Sequence, residues 1–406
     1  MDPEKVAAHR RALEEAGRDG RLDLDAPTAT IRNPQWFVHI DGRPQPTAAR
    51  TRTHRELLNA WQAETPEPGR DRIAVITAGP SGAGKSSVLP DVCQRLSPEP
   101  WRQIDPDEMK DRLLQQAMRD GSYAQLVPEG MGEPGERFYP RELAALVHEE
   151  SSLLSKQAQG QAIADGENVV IDGTLANGEK AHRLAETLQQ QGYQIHVVDV
   201  EAPEHVARER VVGRWQGPYE QIEARAELGQ DVSGELGGRW VPGEVLDPMY
   251  ANGPERTVCA DNAEALIERH EAVRGLDRYV TPHMTAAPQH TESWQRDGSG
   301  QITHRTYEAE QPRSVPQQRD APAQDDREQA RPERGEDGRS PGVQHKLDQL
   351  RARMAGRQPL PSSNSPQAPR PSRSNPERPA SRDRAEPTRE RDEQRRARDR
   401  DRGPER

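Results

Sequence analysis

One eight-residue segment has the residue types and spacing of a phosphate-binding loop. GPSGAGKS at residues 79–86 fits the pattern G-x-x-x-x-G-K-[ST] without a mismatch. Glycines let backbone N–H groups curl around an anion, and a following helix presents its unpaired N–H groups to the phosphates. Lys85 is therefore expected to reach the phosphates of ATP or GTP, and the Ser86 hydroxyl to bind Mg²⁺. The predicted nucleotide-contacting residues are Gly79, Pro80, Ser81, Gly82, Ala83, Gly84, Lys85, Ser86 and Ser87.

A second segment offers a base for phosphoryl transfer. IDPDEMK at residues 104–110 would follow a short strand and place carboxylates near the phosphate-binding loop. A kinase benefits from a base beside the acceptor hydroxyl, and Asp107 is the candidate. Asp105 and Asp107 are equally well interpreted as caps of the helix that begins near Glu108, a role that Asp fills readily.

A third segment, Asp172-Gly173-Thr174, directly follows the apolar run 169–171. Ligands of open parallel sheets bind outside the carboxyl ends of the strands. Asp172 and Thr174 are therefore candidates for contacts to substrate or Mg²⁺. The alternative is a turn residue followed by a helix cap.

Three arginines are candidates for stabilising transferred charge. Arg210 and Arg214 lie one helical turn apart, and Arg239 follows two glycines. Negative charge spreads over the γ-phosphoryl oxygens during transfer, and arginines stabilise it. The alternative for each is an ordinary exposed arginine.

These candidates require strands and helices to position them. Short apolar runs indicate buried strands at residues 73–77, 169–171 and 195–198, and helical stretches are expected at residues 142–164, 180–191 and 204–214. Strands that alternate with helices predict an α/β fold, a P-loop NTPase or kinase three-layer sandwich with a mainly parallel sheet.

Composition divides the chain into three parts. Residues 1–48 form a partly helical N-terminal extension, residues 49–280 the kinase domain, and residues 281–406 a disordered, polyampholytic tail rich in Pro, Arg, Gln and Ser. Within the tail, residues 343–354 have the spacing of a short helix. The net charge of -11 argues against a general binder of nucleic acid or anionic membranes.

The N-terminus has no apolar h-region, and no stretch approaches 18 apolar residues, so no membrane association is expected. The two cysteines, Cys93 and Cys259, have no metal-ligand spacing and fit a reducing compartment. The predicted location is the cytoplasm.

Taken in order, the motifs resemble those of the zeta toxin family of P-loop kinases. The similar segments are GPSGAGKS at 79–86, IDPDEMK at 104–110, HEESS at 148–152, VVIDGTL at 169–175, VVGRW at 211–215 and GGRWVP at 237–242. The resemblance covers roughly residues 49–277.

The resemblance implies an ATP-dependent kinase that phosphorylates the sugar 3′-hydroxyl of UDP-N-acetylglucosamine, blocks peptidoglycan synthesis and has a small antitoxin protein as its partner. It also implies a role for each candidate. Lys85 and Ser86 contact the triphosphate and Mg²⁺, Asp107 is the base, Arg214 and Arg239 hold the transition state, and Asp172, Thr174 and Glu150 bind the amino sugar. The long polar link at residues 216–236 is expected to be a mobile lid.

The residues by themselves support phosphoryl transfer and leave the acceptor open. A nucleoside, a cofactor, an antibiotic or a nucleic-acid end would need the same machinery. A third hypothesis is a non-enzymatic module, gated by ATP, whose tail recruits partners.

Overall fold

The computed structural model describes residues 2–133 and 135–307. In this part of the chain the α-helices are α1 (Pro3–Arg18), α2 (Ala48–Glu64), α3 (Lys85–Leu96), α4 (Pro106–Asp120), α5 (His148–Ala164), α6 (Gly178–Gln190), α7 (Glu204–Glu227) and α8 (Val258–Arg269). The strands are β1 (Phe37–Ile40), β2 (Arg43–Pro46), β3 (Ile73–Ala78), β4 (Arg102–Ile104), β5 (Val169–Ile171), β6 (Gln194–Glu201), β7 (Val273–Val280), β8 (Gln289–Arg296) and β9 (Ile302–Thr306). Short 3₁₀ helices cover Thr30–Arg32, Ser122–Gln125, Pro140–Val147, Gly243–Val245 and Asp247–Tyr250.

A seven-stranded sheet in the order β4-β5-β3-β6-β7-β8-β9 forms the centre of the fold. The first five strands of this order are parallel, whereas β8 and β9 are antiparallel to their neighbours. Because parallel strands end at the same edge, the segments that follow β3, β4, β5, β6 and β7 meet there. The three strands predicted from apolar runs are all confirmed.

Side chains of β3 alternate between two cores. Val75 packs on one face with Val88 and Val92 of α3, while Ala74 and Ile76 pack on the other face in the core that includes α5 and α6. Strands buried on both faces read as continuous apolar runs, as residues 73–78 do. The predicted three-layer sandwich with a mainly parallel sheet is confirmed.

The expected end of the folded region at residue 280 is wrong. Strands β8 and β9 extend the sheet beyond β7 through residue 306. Backbone bonds stabilise these strands, from β8 to β7 and from β9 to β8, together with the partly buried Trp294. They therefore lack the aliphatic periodicity that marks a buried strand. The predicted disorder of residues 308–406 and the predicted helix at 343–354 lie outside the described residues.

The N-terminal extension shares the core of the kinase domain. In α1, Leu13 and Ala16 are completely buried in the larger core. His9 is also buried, and its Nε2 atom lies 3.0 Å from Glu142 Oε1 while its ring stacks 4.4 Å from that of Tyr219. The N-terminal extension therefore packs against α7, through the contact of His9 with Tyr219.

Helix α7 continues through most of the segment that was expected to be a lid. Trp215, Tyr219 and Ile222 recur at helical spacing and are buried. The prediction of a mobile lid at residues 216–236 is therefore wrong for its first half, which is a packed helix. None of the helices in the described part of the chain has the length and apolar character needed to cross a bilayer.

Candidate active site

The phosphate-binding loop connects the central strand β3 to α3. Gly79, Gly82 and Gly84 all have positive φ angles, which the tight loop requires. The Lys85 ammonium donates to the carbonyl oxygens of Gly79 (2.9 Å) and Pro80 (3.1 Å). Burial lowers the pKa of Lys85, because the loop removes the ammonium from water. Phosphate oxygens would replace these carbonyls as acceptors.

The two aspartates before and within α4 have different roles. Asp105 is the N-cap, and its carboxylate accepts a 2.7 Å bond from the backbone N–H of Asp107. The Asp107 side chain is not needed for the cap and is 38% exposed. Of the two interpretations of this segment, capping therefore applies to Asp105, and Asp107 is available to a substrate.

Three cations surround the Asp107 carboxylate. Lys110 Nζ lies 3.0 Å and Arg239 Nη1 lies 2.8 Å from Oδ1, and Arg214 Nη2 lies 3.8 Å from Oδ2. Burial by itself raises the pKa of Asp107, but Lys110, Arg239 and Arg214 outweigh it, so the pKa is below its ordinary value. Asp107 is therefore ionised at neutral pH and can accept a hydrogen bond from a hydroxyl.

A close approach between chain segments brings the two arginines to Asp107. Arg214 lies on α7, directly before the buried Trp215. A Cβ atom on Gly238 would lie only 2.0 Å from the carbonyl oxygen of Trp215. Position 238 must therefore be glycine for the chain before Arg239 to pack against α7. Arg214 is 51% exposed and Arg239 is 10% exposed, so the first is free to move and the second is fixed.

Asp111 is a site residue that the sequence reasoning missed. Its Oδ1 atom accepts bonds from Arg239 (2.9 Å) and Arg141 (3.1 Å), and its Oδ2 atom accepts another from Arg141 (2.8 Å). Asp111 follows Asp107 by one helical turn, so the spacing would have placed both carboxylates on one face of α4. Asp111 thus holds the Nη2 atom of Arg239, while the Nη1 atom of the same guanidinium faces Asp107.

Asp172 and Thr174 lie beside the phosphate-binding loop, at the end of β5. The Thr77 hydroxyl donates to Asp172 Oδ1 (2.5 Å), and the backbone carbonyl of Thr174 accepts from the N–H of Gly79 (3.0 Å). Asp172 and Asp107 are both close enough to Lys85 to raise its pKa against the effect of burial. The structure therefore brings Lys85, Asp107, Asp172 and the two arginines to one edge of the sheet.

Glu150 does not belong to this group, and its expected substrate contact is wrong. The side chain is completely buried, with Arg50 Nη2 at 2.9 Å from Oε2 and His54 Nε2 at 2.6 Å from Oε1. A substrate would have to break this buried pair, which is costly. The preceding residue, Glu149, is partly exposed. Burial lowers the pKa of the neighbouring His148, and the carboxylates of Glu149 and Asp107 both oppose this effect.

This fold, with its loop between β3 and α3, defines a P-loop kinase-like protein. The sequence model of the Zeta toxin family matches residues 58–277, more than half of the chain. The chain therefore belongs to the zeta toxin family, and the predicted resemblance is confirmed.

Solved structures also resemble the chain. One belongs to the PezAT chromosomal toxin–antitoxin system of Streptococcus pneumoniae, with 14% identity, a TM-score of 0.34, and coverage of 58% of this chain and 78% of that chain. The native AvrRxo1-ORF1:-ORF2 complex has 15% identity, a TM-score of 0.41, and coverage of 64% and 70%. The same complex with ATP has 16% identity, a TM-score of 0.40, and coverage of 61% and 68%. No curated protein sequence matches the chain.

Proposed function

We propose that this protein is an ATP- and Mg²⁺-dependent kinase that phosphorylates the sugar 3′-hydroxyl of UDP-N-acetylglucosamine in the cytoplasm. The observation that carries the phosphotransferase role is the arrangement of charged groups around Asp107, whose carboxylate lies 2.8 Å from Arg239 and 3.8 Å from Arg214. A base, a triphosphate-binding lysine and charge-stabilising arginines are the parts that phosphoryl transfer needs. The proposed acceptor is the one that the resemblance to the zeta toxin family implies.

Each residue has a defined part in the proposed reaction. The Asp107 carboxylate accepts the proton of the sugar hydroxyl as the hydroxyl oxygen bonds to the γ-phosphorus and the bond to the ADP oxygen breaks. Lys85 and Arg239 stabilise the charge on the phosphoryl oxygens, and the exposed Arg214 closes on it. The exposed Ser86 hydroxyl, on the first turn of α3, fits a ligand of Mg²⁺. When bound, Mg²⁺ neutralises charge on the β- and γ-phosphates.

The contacts to the amino sugar are also part of the proposal. Asp172 and Thr174 are partly exposed at the edge of the sheet next to the phosphate-binding loop. We assign the third contact to Glu149 rather than Glu150, because Glu149 is partly exposed on the first turn of α5.

The direct test incubates the full chain with ATP, Mg²⁺ and UDP-N-acetylglucosamine and measures the mass of the sugar nucleotide. We expect a product that is heavier by one phosphate. Asp107→Asn should bind ATP normally but turn over about 10²–10⁴-fold more slowly, since it lacks the base. ATP consumption with a different acceptor, and none with this one, would overturn the proposed substrate.

A growth test addresses the toxin role and the antitoxin that the family implies. Expression of the full chain without a partner protein should arrest bacterial growth, and Asp107→Asn should not. If the Asp107→Asn and Lys85→Ala variants arrest growth as strongly as the wild type, the protein acts as a non-enzymatic module and the kinase proposal fails.

A further inference from the structure

A buried histidine of the N-terminal extension lies between two carboxylates. The side chain of His9, on α1, is completely buried. Its Nδ1 atom lies 2.5 Å from Glu136 Oε1, and its Nε2 atom lies 3.0 Å from Glu142 Oε1. Because ionised carboxylates only accept hydrogen bonds, both ring nitrogens must donate. His9 is therefore an imidazolium.

Glu142 connects this histidine to α7. The Oε1 atom that accepts from His9 also accepts from the Nε1–H group of Trp215 (2.8 Å). The Oε2 atom accepts from the backbone N–H of Tyr139 (2.7 Å). All three partners of Glu142 are donors, as an ionised carboxylate requires. His9 and Trp215 thus share one acceptor atom in the core, and their rings are nearly parallel, with centroids 6.2 Å apart.

Trp215 is the residue at which the chain segments that carry the two arginines of the site meet. It directly follows Arg214 in α7. Its carbonyl oxygen lies against Gly238, which precedes Arg239. Its ring lies edge-on to that of Trp240, which follows Arg239, at a centroid distance of 5.3 Å. A shift of Trp215 therefore moves both guanidinium groups relative to the phosphate-binding loop.

The charge on His9 depends on the groups that face it. Burial by itself lowers the pKa of His9, but the carboxylates of Glu142 and Glu136 outweigh it, so the pKa is above its ordinary value. Tyr219 of α7 stacks on the ring, and burial raises the pKa of this tyrosine, so it remains neutral. The other aromatic rings packed on His9 do not titrate. His9 therefore keeps its charge to a higher pH than an ordinary histidine does.

We propose that His9 of the N-terminal extension positions the two arginines of the active site through Glu142 and Trp215. This inference rests on the proposed kinase reaction. It gives the extension a part in phosphoryl transfer, although residue 9 lies outside the segment that matches the family model, residues 58–277. The neutral ring would turn a lone pair toward one of its two carboxylates, so that loss of the proton releases the contact.

The test uses the full chain and measures kcat from the release of ADP in the presence of Mg²⁺ and UDP-N-acetylglucosamine. His9→Gln keeps a polar side chain but has no charge at any pH. It should lower kcat about tenfold at neutral pH, since a small misplacement of charge-stabilising groups slows transfer. Its affinity for ATP, measured by calorimetry, should not change, because the arginines act on charge that develops during transfer.

The pH dependence separates the charge of His9 from its shape. As the pH rises through the raised pKa of His9, kcat of the wild type should fall toward that of His9→Gln. The ratio of the two kcat values should therefore approach one, while Lys85 and other titrating groups affect both proteins alike. A ratio that stays constant from about pH 6 to about pH 9.5, a range that begins below the ordinary histidine pKa, would overturn the role of the charge.

Two further variants distinguish positioning from a loss of packing. Leu13→Ala removes a completely buried side chain of the same helix and should lower stability. At a temperature where it is folded, it should keep the kcat of the wild type. Trp215→Phe loses the N–H group and should lower kcat as His9→Gln does. The double variant His9→Gln/Trp215→Phe should be no slower than the slower single variant, because both act through Glu142.

Thermal unfolding of each variant would confirm that it is folded. Three results would each overturn the positioning role and leave the proposed kinase intact: wild-type kcat in His9→Gln, an equal loss of kcat in Leu13→Ala, or additive losses in the double variant. If the wild type releases no ADP with this acceptor, the proposed function fails and the inference fails with it.

Discussion

The Nη1 atom of Arg239 lies 2.8 Å from the Oδ1 atom of Asp107. The Nη2 atom of the same guanidinium donates to Asp111 Oδ1 at 2.9 Å. One arginine thus bridges two carboxylates on successive turns of α4. Since Asp107 accepts the proton in the proposed reaction, Asp111 is the carboxylate that holds Arg239 in place.

We expect Asp111→Asn to slow turnover without weakening ATP binding. The variant keeps the shape of the side chain but loses the charge that orients Arg239 and Arg141. Misplacement of a charge-stabilising group should lower kcat by roughly 10- to 100-fold. Steady-state kinetics and ATP titration would measure both effects. Asp120→Asn, at the exposed end of the same helix, is the control, and a loss of the same size there would contradict the assigned role.

Asp105 should make stability depend on pH. Burial and the carboxylates of Asp172 and Asp107 raise the pKa of Asp105 to about 6, while an unfolded Asp titrates near 3.9. Because the folded state binds this proton more tightly, it gains stability as the pH falls from about 6 to about 4. Asn caps helices as well as Asp does. Asp105→Asn should therefore be about 1–3 kcal/mol more stable than the wild type at pH 7.5 and equal to it near pH 4.

Urea unfolding of both proteins at the two pH values would check this prediction. A stability difference of the same size at both values would show that the proton on Asp105 has no part in it.

Local signals account for what the sequence could predict. The apolar run at residues 73–77 identifies β3, because a strand that is buried on both faces is apolar at nearly every position. Such a run can be recognised without knowledge of the neighbouring strands. The loop at residues 79–86 and the candidate Asp107 follow from motif spacing, and the structure places both at one edge of the sheet.

Long-range contacts account for the errors. The substrate contact that the resemblance implies for Glu150 is wrong, because Glu150 pairs with Arg50 and His54. These partners are 100 and 96 residues away, so the sequence gives no local sign of the pairing. The sequence does not predict the hairpin of β8 and β9, because its attachment to the domain comes from the pairing of β8 with β7. The turn at Asp297-Gly298 was the available signal, and the Asp297 carboxylate accepts from the N–H groups of Ser299 and Gln301.

Substitution of Trp294 tests whether β8 contributes to the stability of the folded domain. Its ring stacks 4.2 Å from that of His304 and lies 5.0 Å from the Arg278 guanidinium. Trp294→Ala should lower the free energy of unfolding by about 2–3 kcal/mol, since it removes this packing from the edge of the sheet. Chemical denaturation of the full chain measures the change. Gln295→Ala, an exposed neighbour, should have almost no effect, and equal effects of the two substitutions would show that the hairpin does not contribute to the folded domain.

Substitutions of the adjacent Glu149 and Glu150, at the start of α5, should have different effects: one on substrate binding and the other on stability. Glu150→Gln weakens a buried pair with Arg50 and His54, so it should cost about 3 kcal/mol of unfolding free energy. At a temperature where this variant is folded, KM for the acceptor should be unchanged. Glu149→Gln should leave stability unchanged and raise that KM about tenfold, the value of a hydrogen bond to a charged group. Denaturation and kinetics of both variants measure the four quantities. A raised KM in Glu150→Gln alone would restore Glu150 to the substrate site, because only a residue that touches the acceptor would change binding in the folded protein.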